Sequence, residues 1–221
     1  MSELWLIRHG QSVSNAGLPT GHPSLSALTD VGRQQAAHVA GALPRAPDRL
    51  VVSPYSRAMD TARPIMDRFP DVPVTVEAVQ EFTYLGPESY QGTTRDLRRP
   101  MIDSYWARCD PLHRQGAGAE TFAELVVRVE AFYRRYVEGP DVPPGLTVVC
   151  SHGQFIRAVL LRFFGGIGAK SAADPQAMAR FRGFRAAFAV PNGAIAGLSV
   201  GGRPRVGGFD VSHLPPRLVT Y

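Results

Sequence analysis

The sequence predicts an α/β fold, a three-layer sandwich with a mostly parallel central sheet and helices on both of its faces. In the first half of the chain, short apolar runs alternate with segments of helical periodicity, which is typical of parallel βαβ units. A length of 221 residues suits one domain over 1–221. This regularity is lost at about residue 80, so an insertion at about 80–138, partly helical, is expected to fold over one edge of the sheet.

The first predicted strand and helix lie within residues 4–43. The apolar run LWLI at 4–7 predicts a buried strand, and Gly10 predicts the turn that ends it. The helix has Thr29 or Asp30 as its N-cap and ends at Leu43, which precedes a proline. Its alanines suit close packing against a sheet.

Two more strands follow, with one helix between them. RLVVSP at 49–54 predicts a second buried strand that ends in a Ser-Pro turn. The segment at 56–69 places its apolar side chains on one helical face, and Pro64 should kink this helix or mark a first turn. VPVTVEAV at 72–79 predicts a third, short strand.

The insertion combines an irregular part with a helix. Residues 80–118 mix Gly, Pro, Tyr and Trp with charged residues, and only part of this stretch is expected to be helical. Thr121 and Glu124 then form a capping box ahead of an apolar stripe that runs to Tyr136. The Gly-Pro pair at 139–140 ends this helix.

The last third of the chain repeats the strand-to-helix pattern and then changes. A β-branched strand at 146–153 leads into a helix at 154–164. The segments at 187–200 and 203–211 indicate antiparallel strands near the end of the chain, with a turn at Gly201-Gly202 between them.

Composition narrows the classes of partner. The net charge is +5, and Lys170 is the only lysine, so scattered arginines carry the positive charge. No basic tail or nucleic-acid-binding module accompanies them, so no nucleic-acid partner is expected. No apolar segment is long enough for a bilayer, and no secretion signal follows Met1. Cys109 and Cys150 make neither a disulfide framework nor a metal cluster. We therefore expect a cytoplasmic protein with no membrane partner and no metal.

Basic and titratable side chains stand at or just beyond the ends of four predicted strands. Arg8 and His9 follow the first strand, Arg57 lies just past the second, Glu81 follows the third, and His152 ends the fourth. The carboxyl ends of parallel strands share one edge of a sheet, where open α/β sheets bind ligands. Arginine forks match phosphoryl oxygens, one histidine can attack phosphorus while the other stabilises charge, and a carboxylate can protonate the leaving oxygen. The set predicts an active site for phosphoryl chemistry, with the insertion over the same edge.

The segment RHGQSVSN at 8–15 resembles the signature of the histidine phosphatase superfamily, which includes the cofactor-dependent phosphoglycerate mutases. Further segments are similar to that family's motifs and occur in the family's order. They are LTDVGRQQA (28–36), SPYSRAMDTA (53–62), EFTY (81–84), YQG (90–92), GAETFAEL (118–125) and SHGQFIR (151–157). Several matches in order are more specific than any single short motif.

The resemblance implies a role for each of these five residues. His9 is implied as the nucleophile that forms a phosphohistidine. Arg8, Arg57 and His152 are implied to hold the phosphoryl oxygens, and Glu81 to act as general acid and then as base. For attack, the His9 imidazole must be neutral, with its other nitrogen donating to an acceptor such as a backbone carbonyl.

The remaining site residues are candidates for binding the substrate. Glu88 lies close enough in sequence to be a rival for Glu81 as the acid. No cofactor is expected, and the implied partner is a small phosphorylated substrate; the oligomeric state is left open. The candidate substrate-binding residues are Asn15, Gln11, Gly21, Tyr84, Gly153 and Gln154.

Some positions depart from the family pattern. Gln11 stands where the family often has glutamate. The mutases carry a long segment with paired arginines and a proline run, and the nearest segment here, WARCDPLHRQG at 106–116, has only Arg108 and Arg114. This difference favours a phosphomonoesterase of the histidine acid phosphatase type, acting on a small phosphorylated metabolite. The alternatives are mutase-type phosphoryl transfer and a non-catalytic member of the family that binds phosphorylated ligands.

Overall fold

The computed structural model describes residues 2–140, 142–200 and 205–221. The strands in this part of the chain are β1 (Ser2–Arg8), β2 (Arg49–Val52), β3 (Val74–Val76), β4 (Gly145–Ser151), β5 (Ile195–Val200) and β6 (Arg205–Asp210). They form one sheet in the order β3-β2-β4-β1-β5-β6. The neighbours β3, β2, β4 and β1 are parallel, whereas β5 pairs antiparallel with both β1 and β6. The predicted α/β fold with a mostly parallel sheet is therefore confirmed.

The described residues also form α-helices and short 3-10 helices. The α-helices are α1 (Asp30–Ala42), α2 (Ser56–Arg68), α3 (Arg99–Arg108), α4 (Phe122–Tyr136), α5 (Gly153–Phe163) and α6 (Pro175–Ala187). The 3-10 helices are Pro23–Leu25, Pro87–Tyr90, Ala169–Ser171 and Pro216–Leu218.

Two apolar cores lie on opposite faces of the sheet. Ile7 and Val52 pack in one core with side chains of α1 and α2. Leu6 and Val51 pack in the other core, with side chains of α4, α5 and α6. Successive side chains of a strand point to opposite faces, so adjacent residues of one strand serve different cores. The predicted three layers follow from this arrangement.

The register of the sheet brings the ends of β1, β2 and β4 side by side. Arg8 of β1 pairs with Ser151 of β4, and Val52 of β2 pairs with Cys150. The His9 backbone nitrogen donates to the Ser151 carbonyl at 2.9 Å, which carries the alignment one residue past the strand. The residues that follow these three strands therefore meet at one edge.

The turn after β1 is packed tightly against the start of α1. A Cβ atom on Gly10 would collide with the Gly32 carbonyl oxygen, and one on Gly32 would collide with the Gln11 carbonyl oxygen. The Gly10 backbone nitrogen also donates to Thr61 Oγ1 of α2 at 3.0 Å. Only glycine allows this approach, which fixes the chain directly after His9.

The helix starts follow the sequence signals closely. Thr29 is the N-cap of α1, and its side chain accepts a hydrogen bond from Gly32. The predicted capping box of Thr121 and Glu124 is present at α4. Pro64 lies inside α2, which continues through it to Arg68.

Two features differ from the sequence prediction. The third strand is shorter than predicted, so Glu81 lies on the loop five residues beyond Val76 and not directly after the strand. Helix α6 was not predicted, because Ala177, Met178 and Phe181 give it only a narrow buried stripe. The turn predicted at Gly201-Gly202 lies outside the described residues.

None of the described helices combines the length and apolar character needed to cross a bilayer.

Candidate active site

A cavity of about 520 Å³ opens where β1, β2 and β4 end. Arg8, His9, Arg57 and Glu81 all line it. The rest of its wall comes mainly from residues 12–26, from the segment at 81–102 between β3 and β4, including Ile102 of α3, and from α6 and the residues after it. The structure thus gathers four of the five predicted catalytic side chains on one surface.

His9 is almost fully buried, and both of its ring nitrogens have partners. Nδ1 lies 2.7 Å from the Gly10 carbonyl oxygen, and Nε2 lies 3.1 Å from Nε of Arg57. A carbonyl only accepts and a guanidinium only donates, so the proton is on Nδ1 and the lone pair is on Nε2. Burial, together with the charges of Arg57 and Arg8, holds the pKa of His9 well below its usual range. The imidazole is therefore neutral, and its Nε2 lone pair accepts the hydrogen bond from Arg57.

Arg8 and Arg57 place two buried guanidinium groups beside His9. Arg57 donates through Nη1 to the Pro23 carbonyl at 2.7 Å, and Arg8 donates through Nη1 to the Val190 carbonyl. Nε of Arg8 is buried without a hydrogen-bond partner among the described residues. Burial lowers the pKa of Arg8 to about 10 and also lowers that of Arg57. Both groups remain cationic at neutral pH, and an anion would offset the cost of burying them.

His152 is fully buried at the N-cap of α5. Its ring centroid lies 4.9 Å from that of His9 and 5.3 Å from that of Tyr55, and the ring itself does not form part of the cavity wall. Nε2 lies 2.7 Å from Ser53 Oγ, whereas Nδ1 has no partner in the described part of the chain. Burial and the charge of Arg57 hold the pKa of His152 well below its usual range. This histidine is also neutral.

Glu81 and its rival Glu88 occupy different environments. Oε1 of Glu81 accepts from the backbone nitrogens of Phe82 at 3.1 Å and Gln154 at 3.0 Å, at the start of α5. These bonds hold one carboxylate oxygen and leave Oε2 without such a restraint. Glu88 is exposed, lies against Gly86 and is not part of the cavity wall. The geometry favours Glu81 as the carboxyl group that reaches a substrate.

Asn15 is the best defined of the candidate substrate-binding residues. Its Oδ1 accepts from Ser12 Oγ at 2.9 Å, from the Ser12 backbone at 3.2 Å and from Asn192 Nδ2 at 3.3 Å. These donors fix the amide orientation and leave Nδ2 as the group that can donate to a ligand. Tyr84, Gly153 and Gln154 line the cavity as well.

Two of the candidate substrate-binding residues lie elsewhere. Oε1 of Gln11 accepts from Thr29 Oγ1 at 2.8 Å, so this side chain braces the start of α1. Gly21 is exposed, and neither residue forms part of the cavity wall.

Two buried polar residues that support the site were not predicted. Ser53 forms a hydrogen bond with His152. It directly follows β2 at the same edge of the sheet, so its position after a predicted strand was a signal that could have identified it. Asn192 donates to the His9 carbonyl at 3.2 Å and also holds Asn15. It follows Pro191 in a loop, and no sequence pattern marks it.

The wall of the cavity is rich in arginine. In addition to Arg8 and Arg57, it includes four arginines from the insertion, α5 and α6, namely Arg95, Arg98, Arg157 and Arg185. Across residues 2–140, 142–200 and 205–221, no three His, Cys, Asp or Glu side chains are grouped in a way that could hold a metal ion. The charge distribution suits an anionic ligand.

Comparison with known proteins shows which family the chain resembles in sequence. Residues 4–179 match the sequence model of the histidine phosphatase superfamily (branch 1). The chain is 36% identical over 135 residues to adenosylcobalamin/alpha-ribazole phosphatase of Salmonella typhimurium, in a match that covers 60% of this chain and 65% of that protein. The match therefore spans just under two thirds of that relative's length.

Two further proteins extend the comparison. The chain is 38% identical over 174 residues to glucosyl-3-phosphoglycerate phosphatase of Mycolicibacterium vanbaalenii, covering 73% of this chain and 74% of that protein. The crystal structure of alpha-ribazole phosphatase from Shigella flexneri superposes with a TM-score of 0.68 at 24% identity, over 94% of this chain and 95% of that one. The superposition shows that the fold is shared.

Proposed function

The chain belongs to branch 1 of the histidine phosphatase superfamily, and we propose that it hydrolyses a small phosphorylated metabolite through a phosphohistidine on His9. The observation that carries this proposal is the neutral His9 Nε2, held 3.1 Å from the Arg57 guanidinium on the wall of a cationic cavity. The relatives named above as phosphatases support the same reaction class.

In the first step, the phosphoryl group of the ester binds between Arg8, Arg57 and Nδ2 of Asn15. Nε2 of His9 attacks phosphorus, so an N–P bond forms as the P–O bond to the leaving group breaks. The protonated carboxyl group of Glu81 gives its proton to the departing oxygen. The hydrogen bond from His9 Nδ1 to the Gly10 carbonyl then stabilises the positive charge that develops on the ring.

In the second step, water attacks the phosphohistidine. The Glu81 carboxylate takes a proton from the water as the O–P bond forms and the N–P bond to His9 breaks. His9 is returned as a neutral imidazole and Glu81 as a carboxylic acid, so the cycle closes with release of phosphate. Nδ1 of His152, whose Nε2 is held by Ser53, is proposed as a further stabilising group for the phosphoryl oxygens, acting from behind the cavity wall beside His9.

The proposal includes two further properties. No metal ion is needed, because buried arginines already supply positive charge to the phosphoryl oxygens. The protein acts in the cytoplasm, a location supported by Cys109 and Cys150, which are both free thiols.

The test measures phosphate release and the covalent intermediate together. Inorganic phosphate is assayed with a panel of alkyl and aryl phosphate esters, with and without bisphosphoglycerate, and the enzyme is quenched during turnover of a radiolabelled ester. We expect phosphate release that does not depend on bisphosphoglycerate, and an acid-labile, base-stable label on the protein. Phosphoryl exchange without phosphate release would indicate a mutase, and binding without either would indicate a non-catalytic module.

A further inference from the structure

The positive charge on the cavity wall exceeds what one phosphoryl group requires. Glu81 and Asp96 are the acidic side chains among the wall residues, against six arginines, so at least four positive charges are not compensated by the wall itself. A phosphomonoester dianion compensates two of these. The rest of the charge calls for a further anionic group in the same cavity.

The arginines of this wall are also unpaired in the structure. Within the described ranges, no ion pair joins any of them to a carboxylate. Arginines elsewhere do form such pairs, for example Arg128 with Glu120 at 2.5 Å and Arg162 with Glu130 at 2.6 Å. Some arginines outside the cavity, such as Arg49 and Arg68, also form no ion pair in the described residues, so what distinguishes this wall is that six arginines converge on one cavity with two carboxylates.

Arg98 can be set aside, because the fold itself uses it. Its Nη1 donates to the Thr93 carbonyl and to Thr93 Oγ1, both at 2.8 Å, and lies 3.3 Å from Thr20 Oγ1. The guanidinium also lies 4.3 Å from the ring centroid of Tyr90. Arg98 holds two loops together around the cavity.

Arg157 of α5 lies beside the phosphoryl site. A Cβ atom on Gly153 would lie 3.1 Å from Arg157 Nη1 and 3.4 Å from Arg8 Nε, so both guanidinium groups adjoin the same point of the wall. Nε of Arg157 donates to the Phe188 carbonyl at 2.5 Å, which fixes the side chain and leaves its terminal nitrogens without an ion-pair partner in the described part of the chain. Anything bound by Arg157 is therefore close to the group bound by Arg8.

Arg185 of α6 is held on the same wall by an aromatic ring. Its guanidinium lies 4.4 Å from the ring centroid of Trp106, and its Nε is buried without a partner in the described residues. Burial is the main cause that lowers the pKa values of Arg157 and Arg185, and the charge of Arg95 lowers them further. Glu81 opposes this effect at Arg157, and Tyr84 opposes it at Arg185. Residue 185 lies beyond the residues 4–179 that match the superfamily.

We propose that Arg157 and Arg185 bind a second anionic group of the substrate, a carboxylate or a phosphate a few bonds away from the phosphoryl group that His9 attacks. The substrate is then a phosphomonoester with at least one further negative charge. This inference rests on the proposed phosphatase function and specifies the substrate class of the same site.

The test compares esters that differ in one group. 3-Phosphoglycerate and glycerol 3-phosphate differ by a carboxylate in place of a hydroxymethyl group, and propane-1,3-diol bisphosphate differs from its monophosphate by one phosphate. We expect kcat/KM to favour the more anionic member of one pair by roughly 10- to 100-fold, the effect of a charge-assisted hydrogen-bonded pair. The pair that shows the preference identifies the group as carboxylate or phosphate.

Variants connect the preference to the two arginines. Arg185→Gln should reduce the preference by about tenfold or more. Arg157→Gln, which also removes a charge beside Arg8, should lower kcat/KM for both esters but lower that of the more anionic ester further. Arg185→Lys keeps the positive charge and should retain part of the preference. This variant also tests the role of the charge if Arg185→Gln fails to fold. Arg180→Gln is the matched control, because Arg180 also lies on α6 but pairs with Asp174 at 3.4 Å and is not part of the wall.

The outcomes separate this inference from the proposed function. Equal kcat/KM within both pairs, or variants that lower both members equally, would overturn the second subsite while leaving the phosphatase intact. If no ester is hydrolysed and no phosphoenzyme forms, the proposed function fails. Calorimetric dissociation constants for the same four esters then test the subsite directly, and equal affinities within each pair would overturn it.

Discussion

The imidazole of His9 and the guanidinium of Arg57 are in direct contact, with Arg57 Nε donating to His9 Nε2 at 3.1 Å. The lone pair that would attack phosphorus is therefore held by a cation until an anion competes for that cation. Binding of the phosphoryl group to Arg57 would therefore also free His9 Nε2 from its hydrogen bond. In the proposed reaction, a ligand that does not draw Arg57 away does not activate His9.

Replacing His9 tests the nucleophile. We expect His9→Gln to lower turnover by several orders of magnitude and to abolish the labelled phosphoenzyme, because no other nitrogen takes its place beside Arg57. His38→Gln is the control, since His38 lies on α1 and outside the wall of this cavity. Turnover of His9→Gln close to that of the wild type, or label trapped on serine or cysteine, would refute the assignment.

Replacing Glu81 tests the general acid. Glu81→Gln removes the proton while keeping the shape, so an alkyl ester, which expels a strongly basic alkoxide, should lose roughly 10²–10⁴-fold in single-turnover rate. p-Nitrophenyl phosphate expels a stabilised phenolate and should lose much less in this step, although its phosphoenzyme should break down slowly. Glu88→Gln is the matched control and should behave like the wild type. Equal losses for the two esters would count against Glu81.

The buried histidines predict how stability depends on pH. Burial, and then the arginine charges, hold the pKa values of His9 and His152 well below the ordinary value of 6.5 for histidine. Below pH 6.5 the unfolded chain takes up a proton at each histidine and the folded chain does not. The free energy of unfolding should therefore fall as the pH is lowered, by up to about 1.4 kcal/mol per pH unit for each group.

Urea unfolding at pH 7 and pH 5 measures this dependence. The buffer must contain no phosphate, because a ligand of the folded state would add its own stabilisation. His9→Gln should show a smaller loss between the two pH values than the wild type. Identical losses in the wild type and in His9→Gln would contradict a neutral, buried His9.

The sequence was sufficient to predict the sheet and the residues at the ends of its parallel strands. Arg8, His9 and Arg57 could be placed together because a buried strand and a turn carry strong local signals, and parallel strands end at one edge. The walls of the cavity were not predictable in the same way. Arg185 lies on a helix with a narrow apolar stripe, and Asn192 reaches His9 from a loop. Their positions depend on tertiary packing, which leaves no periodic pattern in the chain.

The contact between the turn after β1 and α1 can be tested with two glycines of the same helix. Gly32→Ala places a methyl group against the Gln11 carbonyl and should destabilise the protein by about 1–3 kcal/mol and lower activity. Gly41 has open space around it, so Gly41→Ala should stabilise by up to about 1 kcal/mol through helix propensity. Chemical denaturation of both variants measures the difference, and equal effects would contradict the close approach.

The proposed reaction should not depend on a metal ion. Dialysis against EDTA should leave the turnover of p-nitrophenyl phosphate unchanged, because arginine side chains supply the positive charge. An excess of cationic side chains would also oppose entry of a free metal ion. Loss of activity on dialysis that zinc or magnesium restores would overturn this expectation.

His9 follows the central strand β1, which is hydrogen-bonded to β4 on one side and β5 on the other. Arg185 and Ile102 come from helices at the periphery, one of which packs on α5. Selection can therefore act on these two parts of the molecule separately. Under the proposed function, substitutions in these helices would alter which esters bind while β1 and its neighbouring strands keep His9 in place. Related proteins with this architecture can therefore differ in substrate preference while they share the same reaction.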